Sequence, residues 1–99
     1  MIRRWLEGRR GRATVPSADV DRRLLLYKFD ACPYCQRVAV AIERLGLDVP
    51  TRDTRMEPGA RAELVRIAGG TQVPCLLIDD VPLLESADIV AWLEAYARR

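Results

Sequence analysis

The spacing of hydrophobic positions changes several times after residue 23. Residues 24–29 form a compact apolar and aromatic run, which is typical of a buried strand. Residues 33–45 carry apolar side chains three or four positions apart, which is the spacing of one helix face. Residues 47–53 predict a second strand, and a second helix is predicted to begin at Pro58 and to stop at the glycines that follow residue 68. The first four elements are therefore strand, helix, strand and helix.

Two short apolar runs and a last helix complete the chain. Residues 73–78 and 81–84 flank Asp79-Asp80, which predicts a hairpin with a two-residue turn. Ser86 is expected to cap a helix whose apolar stripe reaches Ala97. The first βαβ unit should be parallel, and the hairpin should add antiparallel strands to the same sheet. This βαβαββα order resembles the thioredoxin-like fold, an α/β fold with a mixed four-stranded sheet flanked by three helices.

Residues 1–23 differ in composition from the rest and predict a basic N-terminal extension to a domain of residues 24–99. This segment holds seven arginines against three acidic residues, a net charge of +4, so the domain carries −2 and is not a basic nucleic-acid surface. One hypothesis is a short helix that touches an anionic membrane surface through apolar side chains. These side chains belong to Met1, Ile2, Trp5 and Leu6. The alternative is a segment that has no fixed contact or packs back on the domain.

The composition narrows the class of protein. Ninety-nine residues can build one hydrophobic core but not two. No apolar run approaches the roughly 18 residues of a spanning helix, and the basic start lacks the apolar stretch of a signal peptide. The chain has no histidine, which excludes Cys/His proteases, Ser/His/Asp hydrolases and imidazole-based zinc enzymes. We therefore expect a cytoplasmic protein that is not exported.

The three cysteines indicate reactive thiols, because an odd count with two of them three positions apart suits no disulfide scaffold. Cys32 falls where the first strand gives way to the first helix. The free N–H groups and the dipole of that helix end favour a thiolate and lower a cysteine pKa. Pro33 suits the first helical turn because its φ is already helical. Cys35, one turn further, lies on the apolar stripe and should be the more buried, less ionised resolving thiol.

The same spacing is also found in zinc sites, so half of a zinc site is an alternative reading of Cys32 and Cys35. Such a site needs two further ligands, and without histidine only Cys75 and a carboxylate are available. By strand alternation and by the usual burial of cysteine, Cys75 is expected to be a core residue. Glutathionylation or a regulatory disulfide is the other interpretation of this thiol.

Three motifs together resemble the glutaredoxin family over about residues 24–97. Cys32-Pro33-Tyr34-Cys35 is the active-site motif of dithiol glutaredoxins, whereas thioredoxins typically place Gly-Pro between the cysteines. Thr71-Gln72-Val73-Pro74 is similar to the family's segment before a cis-proline. Glu85-Ser86 and the residues after it resemble the glutathione-binding turn of the glutathione transferase N-terminal domain. The sequence differs from glutaredoxins with a Gly-Gly-x-Asp-Asp-type turn, and from transferases in lacking a long helical second domain.

The resemblance implies Cys32 and Cys35 as catalytic residues and a set of glutathione contacts. These contacts are Lys28, Tyr34, Gln72, Val73, Pro74, Glu85 and Ser86. The backbone of Val73, before a cis-proline, would pair with the cysteinyl unit like an added strand. Glu85 would meet the γ-glutamyl ammonium, and Ser86, at a helix N-terminus, would meet the carboxylate beside it. Lys28 or Gln72 is a candidate for the glycyl carboxylate, and Tyr34 for a flank of the bound sulfur.

The predicted function is that of a glutathione-dependent thiol–disulfide oxidoreductase, with glutathione as co-substrate, no tightly bound cofactor and no metal. Its partners would be glutathione and glutathionylated or disulfide-containing proteins, and the chain is expected to be a monomer. Two alternatives remain open. One is a carrier of a glutathione-ligated [2Fe–2S] cluster, against which Pro33 and Cys35 argue because monothiol motifs are the usual host. The other is an interaction module that residues 1–23 dock on a membrane or a partner.

Overall fold

The computed structural model describes residues 15–99, which form four strands and three helices. The strands are β1 (Leu24–Lys28), β2 (Thr51–Asp53), β3 (Cys75–Ile78) and β4 (Val81–Leu83). The helices are α1 (Pro33–Leu45), α2 (Ala60–Ala68) and α3 (Ser86–Ala97). The strands lie in the order β2-β1-β3-β4, with β1 parallel to β2 and both other pairings antiparallel. The predicted βαβαββα order and mixed four-stranded sheet are confirmed.

Two apolar clusters cover the two faces of the sheet, because successive strand side chains point to opposite faces. Alternate residues of β1 and β3, such as Leu26 and Leu76, pack with α1 and α3 through Val38, Ile89 and Leu93. Residues on the other face pack against α2, whose Leu64 is fully buried. That second cluster consists of Tyr27, Leu64, Cys75 and Leu77. Cys75 is therefore a fully buried core residue facing α2.

Several element boundaries differ from those predicted. Strand β1 ends at Lys28, β3 begins at Cys75 and β4 ends at Leu83, each one or two residues inside the predicted run. Helix α2 begins at Ala60 rather than Pro58, because Gly59 adopts a left-handed conformation with φ of 84° that cannot continue a helix. Strand β2 begins at Thr51 rather than at residue 47, because Pro50 has no N–H to donate to a neighbouring strand. Glu85, not Ser86, occupies the N-cap position of α3, and Ser86 is the first helical residue.

The hairpin turn Asp79-Asp80 has positive φ at both positions, 51° and 70°, as a type I′ turn requires. Its first residue is tied to the chain before β1. The Asp79 carboxylate accepts the backbone N–H of Arg23 at 2.8 Å and lies 3.2 Å from the Arg22 guanidinium. The Asp79 N–H in turn donates to the carbonyl of Arg23 at 2.9 Å. These contacts fix a turn that lacks the glycine usual at such positions.

Residues 15–23 lie against α3. The Trp92 Nε1–H donates to the carbonyl of Pro16 at 2.8 Å, and Val15 and Ala18 pack against the larger core cluster. The Tyr96 hydroxyl accepts the N–H of Arg22 at 2.9 Å and donates to the Arg22 carbonyl at 3.2 Å. The division at residue 23 stays a prediction. Residues 1–14, including those of the predicted membrane-binding face, lie outside the described residues.

Tyr96→Phe is expected to lower the free energy of unfolding by about 1 kcal/mol, because the substitution leaves the Arg22 N–H without its partner. Chemical denaturation measures this loss, and amide hydrogen exchange at Arg22 should become faster. Tyr34→Phe is the matched control, since the Tyr34 side chain is 60% exposed. Equal losses for both variants would show that the Tyr96 hydroxyl does not hold the segment.

Candidate active site

Cys32 is the N-cap residue of α1, and its extended backbone, φ of −79° and ψ of 119°, turns the chain from β1 into the helix. The Cys32 N–H donates to the carbonyl of Phe29 at 3.2 Å, and its own carbonyl accepts the N–H of Gln36 at 3.0 Å. Pro33 stands in the first turn, which contains no acidic residue. The positive helix end is therefore not neutralised by a carboxylate of that turn.

The two sulfurs of the pair differ in their ionisation. Burial of Cys32 opposes its ionisation, but hydrogen bonds from the backbone and thiol of Cys35 and from the Tyr34 backbone outweigh that cost. These hydrogen bonds, together with the attraction between the thiolate and the Arg55 guanidinium, lower the pKa of Cys32. Burial raises the pKa of Cys35 to about 12, and the neighbouring Cys32 sulfur adds to the effect. The first cysteine is thus the stronger acid, and the second keeps its proton at neutral pH.

The register of the sheet brings four chain segments to one edge. Three pairs of residues define it: Lys28 with Asp53, Tyr27 with Cys75, and Leu76 with Leu83. The connections after β1, after β2 and after β4, and the segment entering β3, all lie at this edge. It therefore carries the cysteines, Arg55, Val73 and Glu85.

The segment entering β3 contains a cis peptide bond between Val73 and Pro74. Pro74 is buried, whereas Gln72 is exposed and its amide donates to the Glu85 carboxylate at 3.4 Å. The structure thus joins two of the predicted glutathione contacts directly. Tyr34, on the first turn of α1, is exposed.

Glu85 and Ser86 form the start of α3. Glu85 is exposed and has φ of 74° and ψ of 110°, a combination that costs a non-glycine residue conformational energy. Ser86 is 7% exposed and begins the helix, whose free N–H groups suit an anion. The strained residue places a carboxylate beside those free N–H groups.

Lys28 is engaged by carboxylates. Its ammonium lies 2.6 Å from Asp30 and 3.6 Å from Asp53, and the hydrogen bond to Asp30 is the main cause of its raised pKa. A ligand carboxylate would have to compete with both partners for this charge.

Arg55 was missed by the sequence reasoning. Its guanidinium carbon lies 3.7 Å from the centroid of the Phe29 ring, which precedes the cysteines. The two residues line a recess of about 360 Å³ together with Thr54, Arg61 and Thr71. The sequence did indicate that Arg55 lies near the cysteines, because residues that follow two adjacent parallel strands emerge at the same edge of the sheet.

Two negative findings concern residues 15–99. Within this range, no three His, Cys, Asp or Glu side chains are grouped so that they could hold a metal ion. Nor does any helix in the described part of the chain have the length and apolarity needed to cross a membrane.

A family model described as "Glutathione S-transferase, N-terminal domain" matches residues 26–99. A glutaredoxin of Pseudomonas aeruginosa is 36% identical in an alignment 72 residues long, which covers 65% of this chain and 86% of that protein. The chain belongs to the glutaredoxin/glutathione S-transferase family. The resemblance predicted from the three motifs is therefore confirmed.

Several solved structures share this architecture. Glutaredoxin 2 of Salmonella typhimurium, solved in complex with glutathione, is 28% identical with a TM-score of 0.62 and covers 75% of this chain. The thioredoxin-like protein BC3987, 17% identical with a TM-score of 0.64, has the same fold and matches over 96% of its own length. The chain spans only 34% of the Salmonella glutaredoxin 2 and 34–37% of the first glutathione transferases it matches.

Proposed function

We propose that this protein is a glutathione-dependent thiol–disulfide oxidoreductase that reduces glutathione mixed disulfides and protein disulfides through the Cys32 thiolate. The observation that carries the proposal is the placement of Cys32 at the N-cap of α1 with Cys35 buried one turn further along. This placement agrees with a lowered pKa for Cys32 and a pKa of about 12 for Cys35. Membership of a family with a glutaredoxin relative supports glutathione as the reductant. A cytosol would keep such a dithiol reduced, so we place the reaction there.

The reaction consists of two thiol–disulfide exchanges. The Cys32 thiolate attacks the glutathione sulfur of a mixed disulfide, forming a Cys32–glutathione disulfide and releasing the protein thiolate, which takes up a proton. A glutathione thiolate then attacks the glutathione sulfur of that intermediate and regenerates the Cys32 thiolate. The net products are a protein thiol and glutathione disulfide.

A protein disulfide requires Cys35 as well. Cys32 attacks one sulfur and releases the other as a thiol, which leaves a mixed disulfide between the two proteins. Cys35 loses its proton and attacks Cys32, which frees the second substrate thiol and forms the Cys32–Cys35 disulfide. Two glutathione molecules reduce this disulfide and become glutathione disulfide.

Glutathione would bind across the edge at which β1, β2 and β4 end. The Val73 backbone would pair with the cysteinyl unit, Glu85 would meet the γ-glutamyl ammonium, and Ser86 would meet the carboxylate beside it.

Lys28 and Gln72 are candidates for the glycyl carboxylate. Arg55 and Arg61 are added to them, because both line the recess beside Phe29.

Turnover of a small glutathione mixed disulfide tests the proposal. The purified protein is mixed with the disulfide, glutathione, NADPH and glutathione reductase, and NADPH oxidation is followed. We expect a rate proportional to the protein concentration. A wild-type protein without turnover on this disulfide and on a reducible protein disulfide would overturn the proposal.

Glu85→Gln is expected to raise the KM for glutathione about tenfold, because a neutral amide replaces a charge-assisted hydrogen bond to the ammonium. The alkylation rate of Cys32 without glutathione should not change. Glu94→Gln is the matched control, since Glu94 lies near the opposite end of α3 and pairs with Arg44 at 3.1 Å. An unchanged KM in Glu85→Gln would remove Glu85 from the binding site.

A further inference from the structure

Asp53 is the last residue of β2, and its carboxylate accepts hydrogen bonds from the backbone that follows it. The residue is 6% exposed, and its Oδ1 atom accepts the N–H groups of Arg55 and Met56, each at 2.9 Å. Its Oδ2 atom lies 3.6 Å from the Lys28 ammonium. One buried carboxylate therefore fixes the backbone at the residue that carries the guanidinium.

Further hydrogen bonds close the turn of residues 53–57. The Glu57 carboxylate accepts the N–H of Asp53 at 3.1 Å, and the Glu57 N–H donates to the Asp53 carbonyl at 3.0 Å. The Thr54 N–H donates to the carbonyl of Lys28 at 2.9 Å. The turn is thus attached to the end of β1, the strand that leads to Cys32.

The side chain of Arg55 connects this turn to the cysteines. Its guanidinium stacks 3.7 Å from the Phe29 ring centroid, and the Phe29 carbonyl accepts the Cys32 N–H at 3.2 Å. Arg55 also attracts the Cys32 thiolate. Lys28, by contrast, acts on the pKa of Cys35.

We propose that Asp53 is a positioning residue for Cys32, because it fixes the turn that holds the Arg55 guanidinium against Phe29, the residue whose carbonyl binds the Cys32 N–H. The inference deepens the proposed function, since it concerns the same sulfur and adds a residue that touches neither glutathione nor the disulfide. It also explains why a buried carboxylate stands near a site that needs a thiolate: its hydrogen bonds place a cation.

Asp53→Ala and Asp53→Asn separate the hydrogen bonds from the charge. Asp53→Ala removes the acceptor and releases Arg55, so the pKa of Cys32 should rise. If Asp53 acted only through its negative charge, removing it would lower that pKa, which is the opposite direction. Asp53→Asn loses the charge but keeps an acceptor oxygen for both N–H groups, so it should retain the wild-type reactivity of Cys32.

The experiment follows the thiolate absorbance and the iodoacetamide alkylation rate of Cys32 against pH in the reduced protein, without glutathione. Below the wild-type midpoint, Asp53→Ala and Arg55→Ala should each slow alkylation about threefold to tenfold. In the Arg55→Ala background, Asp53→Ala should have no further effect, because the cation it positions is gone. Asp48→Ala, at an exposed position before β2, is the matched control.

Three outcomes would overturn the inference: faster alkylation in Asp53→Ala, independent effects of the two substitutions, or no effect of Arg55→Ala. Arg55 is exposed, so Arg55→Ala remains informative if Asp53→Ala does not fold. Because glutathione is absent, these results do not depend on turnover. A failure here leaves the oxidoreductase proposal standing, and a failure of turnover leaves the Asp53 result intact.

Discussion

Cys32→Ser is expected to lower the reduction rate of a glutathione mixed disulfide by at least about a thousandfold, because a serine hydroxyl is a far weaker nucleophile than a thiolate at neutral pH. Cys35→Ser should retain this activity, since the two exchanges with glutathione use one protein sulfur. It should lose most of its activity on protein disulfides, which need the second sulfur to release the substrate. The coupled NADPH assay measures the first reaction, and insulin reduction measures the second.

Cys75→Ala serves as the control for removal of a thiol, because Cys75 is fully buried and faces α2. Its activity should stay close to that of the wild type on both substrates. Residual turnover of Cys32→Ser near the wild-type rate would mean that another group is the nucleophile. Loss of mixed-disulfide reduction in Cys35→Ser would contradict the single-sulfur route.

Val38→Ala is expected to lower the free energy of unfolding by about 2–3 kcal/mol, because it removes two buried methyl groups and leaves a cavity. Val38 is completely buried between α1 and the sheet, one turn beyond Cys35. Denaturant unfolding of the reduced protein measures the loss. Val38 belongs to the core cluster that holds α1, the helix that begins next to Cys32, against the sheet.

Val40→Ala is the matched control on the same helix. Its side chain is 64% exposed, so little burial is lost, and alanine favours the helix slightly more than valine does. The free energy of unfolding should stay within about 0.5 kcal/mol of the wild type. Equal losses for the two variants would show that packing of α1 on the sheet does not determine stability.

Local patterns were sufficient to predict most of the fold. The three- and four-residue spacing of apolar positions after Pro33 predicted α1, which ends at Leu45 before a glycine with φ of 68°. The apolar run from Leu24 predicted β1, and Asp79-Asp80 predicted the hairpin turn. Each signal lies within a few neighbouring residues, so it can be detected without knowing the rest of the structure.

Local patterns were wrong at boundaries where a single residue decides. Pro58 is compatible with a helix start, but Gly59 takes a left-handed conformation and delays α2 to Ala60. Residues 47–50 have an apolar character that suits a strand, yet pairing with β1 begins only at Thr51. Backbone conformation and strand pairing, rather than hydrophobicity, determined both limits.

The sequence by itself determined the dithiol, its position at a helix N-terminus and the family, because these depend on residues close together in the chain. Only the tertiary structure decided which charges surround that dithiol. It places the Lys28 ammonium near Asp53 and stacks Arg55 on Phe29. The reason is physical: parallel pairing of β1 with β2 brings distant residues to one edge, and their ionic contacts depend on that pairing.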